Sequence, residues 1–452
     1  MLARFAFCTA VCGGIFSLDF SPRDFYRIHI MNTAIGIMGI VVLLGIGYLL
    51  SENRRAINFR TVGLAFIIEL ILGGLILYSP VGQNVLLVMA DAVTTVINFN
   101  NAGTKFIFGG LVSDKMYEVF GSGGFIIALR VLPIIVFFSA LSAVLYYLGI
   151  MQFIVRWVGG GLQRLLKTSR AESMNSAANI FLGVTEAPLL VKPYLGSMTR
   201  SELFAVLCGG LASIAGTMLV SYAQLGVKME YLLAASFMAA PGGLLFAKLM
   251  IPETQETADE SNAKPVQENR PANIIDAAAE GAMNGLNMAL AVGAMLLAFV
   301  SLVALLNGLL GGVGGWFGLP ELSMELVLGY VLSPMAWLMG IPWNEALTAG
   351  GIIGQKVVIN EFFAYVNLAE YLRGDAVVAA TGLPMTARTQ IILSFALCGF
   401  ANFGTVAIAI GGIGSLIPER RKEIATLGMK ALVAGVLSNL MAATIAGLFI
   451  GG

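Results

Sequence analysis

The sequence predicts an all-α integral membrane protein, with about eight transmembrane helices and two opposed re-entrant hairpins arranged as an inverted repeat. Three observations point there. Hydrophobic residues make up 58% of the 452 positions and charged residues only 12%, with a mean hydropathy of +0.86, against roughly a quarter charged in soluble domains. Apolar runs recur at the length, about 20 residues, that a helix needs to cross hydrocarbon about 30 Å thick. Two further apolar stretches are broken by prolines and a carboxylate, and interrupted backbone persists at membrane depth only where protein or a wet cavity surrounds it.

The elements follow in order. Arg4 and the apolar segment Phe5 to Phe16 resemble a short signal-like stretch, which Asp19, Arg23, Asp24 and Arg27 then interrupt. Residues 1–30 therefore read as an extension, either a peripheral leader or sequence upstream of a functional start at Met31. Spans are expected near 31–50, 61–79 and 124–148. The first interrupted stretch, 172–198, carries Pro188 and Pro193 and reads as a hairpin, followed by spans at 201–223 and 230–251. Residues 252–273, rich in Glu, Thr, Gln, Asn and Pro, bury too little apolar surface to order themselves and read as a cytoplasmic linker. After it come a span at 283–310, a second interrupted stretch at 321–371 with Pro334, Gly340, Pro342 and Glu361, and spans at 390–412 and 425–450.

Orientation follows from Arg54, Arg55 and Arg60, from Arg156, Arg164, Lys167 and Arg170, and from Arg420, Arg421 and Lys422, since basic loops stay cytoplasmic. Both termini then lie outside, in a plasma (inner) membrane. The hairpins enter from opposite faces, which is the signature of an inverted repeat.

Several functions drop out. Twenty-six basic residues balance 26 acidic ones, so nothing favours a nucleic-acid partner. Cys8, Cys12, Cys208 and Cys398 lack the spacing of a disulfide framework or zinc cage and read as packing residues. The single histidine, His29, falls outside the apolar spans, so a Ser-His-Asp triad or a histidine metal pair has no members there. An intramembrane enzyme using Glu186, Lys356 and Glu361 around a lipid, with a carboxylate as base, would lack a nucleophile pair and metal ligands. The expectation is no enzyme.

What remains is the polar content of the apolar sequence. Thr185 and Glu186 precede Cys208-Gly209-Gly210-Leu211-Ala212-Ser213-Ile214, and Asn360 and Glu361 precede Cys398-Gly399-Phe400-Ala401-Asn402-Phe403. Each half thus offers a hairpin carboxylate and then a helix weakened by glycine, at about 1 kcal/mol per residue relative to Ala. Intramembrane charge marks solute pathways, and paired broken helices are the architecture of secondary carriers. Plainer readings exist for each piece. Glycines allow close helix packing, Ser213 and Thr405 can bond back to their own helices, and Glu186 and Glu361 can form fixed ion pairs with Lys192 and Lys356. Glu69, in mid-helix without polar neighbours in sequence, reads as structural. Trp157, Trp316, Trp337 and Trp343 read as interfacial or packing groups.

The run Gly354-Gln-Lys-Val-Val-Ile-Asn-Glu-Phe-Phe-Ala-Tyr365 resembles the signature Gly-x-Lys-x-x-x-Asn-Glu-Phe-Val-Ala-Tyr of concentrative nucleoside transporters, departing at Phe363. Gly183-Val184-Thr185-Glu186-Ala187-Pro188 is similar to that family's first-hairpin motif, and Cys398 to Asn402 to its seventh-helix motif. The likeness runs from about Met31 to the C-terminus. It implies a homotrimer in membrane lipid, with a scaffold at 31–170 and 274–320 and a mobile transport part at 171–251 and 321–452. It places a nucleobase near Val184, Thr185 and Glu186, and a ribose near Glu361, Asn402 and Thr405, with Phe400 packing against the ligand. Sugar hydroxyls can donate to a carboxylate, and a base edge suits the mixed donors and acceptors of Thr and Glu. Val184 stands where the family has glutamine and Thr405 where it has serine, which leaves base preference open. The resemblance also implies a coupling Na+ held by the side chains of Asn179 and Ser213 and the carbonyls of Leu182 and Ile214. The rival is proton coupling through Glu186 or Glu361. The activity expected is import of nucleosides such as uridine by Na+ symport, with elevator-like movement of the transport part.

Overall fold

The apolar runs do become helices. The computed structural model describes residues 22–113, 115–256 and 271–450, and among these the only β feature is an isolated bridge between Val378 and Leu383. Residues 1–21, with Cys8, Cys12 and most of the predicted extension, and residues 257–270 of the predicted linker lie outside the described residues.

The first half begins with α1 (Pro22–Leu49), α2 (Phe59–Leu77), α3 (Pro80–Phe108), α4 (Leu132–Tyr147) and α5 (Ile150–Leu166). Helix α6 (Arg170–Ala178) opens on a reciprocal capping box between Ser169 and Glu172, which satisfies two backbone donors at its start. It runs to a non-helical tip at 179–186, from which the chain returns in short turns through 187–195. A broken helix follows, α7 (Arg200–Ala212) and α8 (Gly216–Gln224), then the continuous α9 (Met229–Met250).

In the second half come α10 (Ile274–Trp316), α11 (Met324–Leu338), α12 (Trp343–Val358) and α13 (Glu361–Arg373). A second broken helix, α14 (Ala387–Ala396) and α15 (Phe403–Leu416), precedes the continuous α16 (Arg421–Phe449). The succession of tip, broken helix and continuous helix thus occurs twice.

The stretch 321–371 holds three helices. Helices α11 and α12 meet at 118°, at a corner where Pro342 precedes α12 and Trp337 packs edge-on to Trp343 with centroids 6.3 Å apart. The second turn, at Ile359 and Asn360, brings α13 back along α12, where Asn367 Nδ2 donates to Gln355 Oε1 at 2.7 Å. Glu361 therefore sits at the α12–α13 turn, not at the proline corner.

Among the described residues seven helices are long and apolar enough to cross a membrane, or eight if the bent pair counts as one. The composition of that set differs from the sequence expectation. The region expected at 390–412 is divided between α14 and α15, whose apolar helix Phe403–Leu416 has under 18 residues, while the segment Pro80–Phe120 qualifies and the 28-residue α1 covers the span expected at 31–50.

Packing separates two groups. Helix α4 lies along α10, where Gly281 and Gly285 let Ser139, Ala140 and Ala143 approach the α10 backbone. Helices α1 and α2 pack on α9 and α16, with Gly47 against Phe246 and Leu249, and Gly73 against Met238 and Ile445. Residues 31–77 thus adhere to helices expected in the transport part.

Candidate functional site

The two tips and two breaks converge. Phe400 N–H, in the second break, donates to Ser213 O in the first at 3.0 Å, and Gly216 N–H, at the start of α8, donates to Phe181 O in the first tip at 2.9 Å. Asn439 of α16 ties both breaks together: its Nδ2 donates to Ala212 O at 2.6 Å and to Cys398 O at 3.0 Å, while its Oδ1 accepts from Lys356 Nζ at 2.6 Å. The signature lysine, 1% exposed, is therefore engaged with Asn439 and pins the breaks. These contacts satisfy backbone carbonyls that unwinding would otherwise leave buried and unpaired.

Asparagine starts both helices that reach the convergence from the second half. Asn360 Oδ1 accepts from Phe363 N–H at 2.8 Å and Asn402 Oδ1 from Thr405 N–H at 2.8 Å, the capping geometry that favours Asn at a helix start. The caps place Glu361, 5% exposed, in the first turn of α13, where the partial positive end of the helix favours an anion. Its carboxylate accepts from Asn402 Nδ2 at 2.8 Å and from Tyr222 Oη at 3.2 Å. Tyr222 stacks on Tyr365 at 4.2 Å, which holds the phenol in place.

Around this centre lies a cavity of about 370 Å³ lined by Val184, Thr185, Glu186, Glu361, Phe400, Asn402 and Thr405. All seven residues singled out from the sequence as ligand contacts border it. Both carboxylates open on the same space. Glu186, exposed toward it, accepts from its own tip at Gly183 N–H, 3.2 Å away. The far wall is apolar and comes from α10, through Met288, Val292, Met295 and Phe299. Sequence reasoning missed that wall, along with Tyr222 and Asn439. A volume of this size with a few convergent polar groups suits a small amphipathic solute.

Beside the cavity, Asn179 closes α6 and Ser213 closes α7, with Leu182 in the tip and Ile214 in the break, so the four residues named for a cation come from the tip and break that pack together. Asn179 Nδ2 donates to Asn175 O at 3.0 Å. Asn179 Oδ1 and Ser213 Oγ are buried and accept from nothing, as are Asn175 Oδ1 and Ser176 Oγ nearby. Buried oxygens without donors are costly, and neutral oxygen ligands of this kind fit a hard monovalent cation. Asn175 and Ser176 extend the oxygen set beyond the sequence expectation.

The glycines of the first break act by closeness. Helix α7 continues through Gly209 and Gly210 and ends at Ala212. A methyl group on Gly210 would stand 2.5 Å from Val184 Cγ2, and one on Gly209 would stand 3.1 Å from Asn179 Nδ2, so their bareness seats the tip on the helix.

A helical bundle with paired tips, paired broken helices and an amphipathic cavity between them defines a multi-pass membrane transporter. Three family models cover successive parts of the chain: Na+ dependent nucleoside transporter N-terminus at residues 38–111, nucleoside recognition (Gate) at 128–229, and Na+ dependent nucleoside transporter C-terminus at 231–447. The chain is 49% identical to nucleoside permease NupC of Helicobacter pylori and 52% identical to an uncharacterized transporter of Haemophilus influenzae, each alignment covering 93% of this chain and 99% of the relative. Among solved structures it superimposes on CNTnw in an inward-facing substrate-bound state with a TM-score of 0.88 at 55% identity, covering 93% of this chain and 98% of that one. A substituted CNTnw in an outward-facing state gives 0.90 at 55%, covering 93% and 99%. The chain belongs to the concentrative nucleoside transporter family.

Proposed function

We propose that the protein imports nucleosides, uridine among them, by symport with Na+ across the inner membrane as a homotrimer. The observation that carries this reading is the cavity bordered by both tips and the second break, with Glu361 and Asn402 already hydrogen-bonded at its floor. Each Glu361 oxygen takes one protein donor and keeps lone pairs for ribose hydroxyls, with Asn402 and Thr405 completing the sugar contacts. The base sits toward Val184, Thr185 and Glu186. Val184, packed against Gly210, offers no amide to a base edge, so shape and Glu186 set base preference.

Na+ binds through Asn179 and Ser213 with the carbonyls of Leu182 and Ile214, filling oxygens that otherwise lack partners. It thereby fixes the first tip against the first break, the pair that presents Val184 to Glu186. Nucleoside then bridges to Glu361 and Asn402. By reciprocity, an ion that favours the binding arrangement is itself bound more tightly when substrate is present. The two hairpins and two broken helices move as a unit against the α4–α10 pair. We further infer that α1 and α2 travel with that unit, because they pack on α9 and α16.

Thermal melting of the purified protein with a panel of nucleosides, in Na+ and in choline, tests the reading. Nucleosides are expected to raise Tm in Na+ and far less in choline, while free ribose and free bases give little. Equal stabilisation in choline would overturn the ion assignment.

A further inference from the structure

Glu69 lies in the middle of α2, 0% exposed, and neither of its oxygens has a hydrogen-bond partner. A purely structural carboxylate would have donors, because burying that group without compensation is costly. The residue sits where α2 crosses α9 and α16. A methyl group on Gly242 of α9 would stand 2.6 Å from Ser438 Oγ of α16 and 3.0 Å from Glu69 Oε1. The two side chains therefore meet over a bare stretch of α9, close enough for one small bound atom to touch both. Ser438 Oγ is buried and unpartnered as well. Gly242 is the group facing Glu69 from α9 and Ser438 the group facing it from α16. Among the described residues no side chain donates a hydrogen bond to the carboxyl.

We propose that Glu69 and Ser438 hold a monovalent cation, H+ or Na+, in a second site one helical layer behind the substrate cavity. The two ions share the chemistry the site demands, which is neutralisation of an enclosed carboxylate with the serine hydroxyl as a further oxygen partner.

The position connects this site to transport. Ser438 faces Glu69, and the next residue, Asn439, holds Lys356 and the two breaks. On α9, Gly242 faces Glu69, and its neighbour Gly243 lies against α7, where a methyl group would stand 3.4 Å from Gly209 Cα and 3.4 Å from Ala212 Cβ. Occupancy of the rear site thus bears on both helices that support the unwound segments, which is the physical requirement for coupling between two sites.

The test uses the full-length protein carrying Asn179→Ala, which weakens the front cation site so that it stays empty over the Na+ range used, with and without Glu69→Gln. Uridine binding and Tm are measured as Na+ replaces choline at fixed pH, and as pH is stepped at fixed Na+. The single variant is expected to keep a cation response, on the order of tenfold in Kd across one of the two series, and the double variant to lose it. A response in the Na+ series identifies Na+ as the occupant, and one in the pH series identifies H+. No residual response in the single variant, or the same response in both, would overturn the proposal. If the double variant does not fold, Ser438→Ala in the same background is expected to shift the midpoint of that response, and an unmoved midpoint overturns it equally. The Na+ dependence of the protein with Asn179 intact is read separately, so failure of the front site and of the rear site are distinguishable.

Discussion

Replacing Glu361 by Gln separates ligand recognition from folding at the centre of the site. The carboxylate accepts from Asn402 Nδ2 at 2.8 Å and Tyr222 Oη at 3.2 Å. Gln can keep the first of these through its own Oε1 and donate its amide to the Tyr222 oxygen, so the local fold survives and stability should shift by no more than about 1 kcal/mol. The nucleoside loses more. A hydrogen bond to a charged acceptor contributes about 1.5–3 kcal/mol, and each 1.4 kcal/mol is about tenfold in affinity. Loss of a single ribose contact should therefore raise the uridine Kd at least tenfold, to on the order of a hundredfold. Isothermal titration in saturating Na+, with Tm measured on the same sample, checks both halves of the expectation. A Kd within about twofold of the parent, at unchanged Tm, would refute the role given to Glu361.

Asn439→Ala should cost about 3 kcal/mol or more, because it strands the Lys356 ammonium and the carbonyls of Ala212 and Cys398 together, and thermal melting in detergent measures it. Gly210→Ala should push Val184 away and weaken uridine binding through about 1–3 kcal/mol of overpacking, whereas Gly160→Ala, where a methyl group meets nothing within 4 Å, should leave binding unchanged. Asn179→Ala should move half-saturation by Na+ upward while the uridine Kd at very high Na+ approaches that of the parent, as read from Na+ titrations of binding. Glu52, in the loop between α1 and α2, is held below the usual carboxylate range chiefly by the hydrogen bond from Arg200, with Lys430 adding to it. A depressed carboxyl stabilises the fold above its unfolded-state range and loses that contribution as pH falls through its folded value. Glu52→Gln should therefore lower stability at neutral pH by less than about 1 kcal/mol for a pair this exposed, seen as a lower Tm, and the difference from the parent should vanish in acid.

The legible parts of the fold were those with local signals. Proline and glycine marked the stretches at 172–198 and 321–371, and Thr185, Glu186, Asn360, Glu361 and Asn402 stood out as polar groups in apolar surroundings. All of those polar groups but Asn360 were named as ligand contacts, and Asn360 caps α13 and borders the same cavity. Helix α3 escaped because Gln83, Asn84, Asp91, Asn98 and Asn100 dilute its apolar residues below the look of a span. Tyr222 and Asn439 escaped for a different reason. Their partners are 139, 83, 227 and 41 residues away, and no spacing rule reaches across such separations. The apolar α10 wall was read as an ordinary span because Met288, Val292, Met295 and Phe299 carry no chemical mark of the cavity they face. For Glu69 the local sequence suggested a structural group, and only the crossing with α9 and α16 shows that its oxygens lack donors.

Uptake of radiolabelled uridine into proteoliposomes, with an inward Na+ gradient at equal pH or an inward proton gradient in choline, bears most directly on symport. Accumulation above equilibrium is expected with the Na+ gradient and is expected to collapse when the ion is equal on both sides. Concentrative uptake driven by the proton gradient in the absence of Na+ would contradict it.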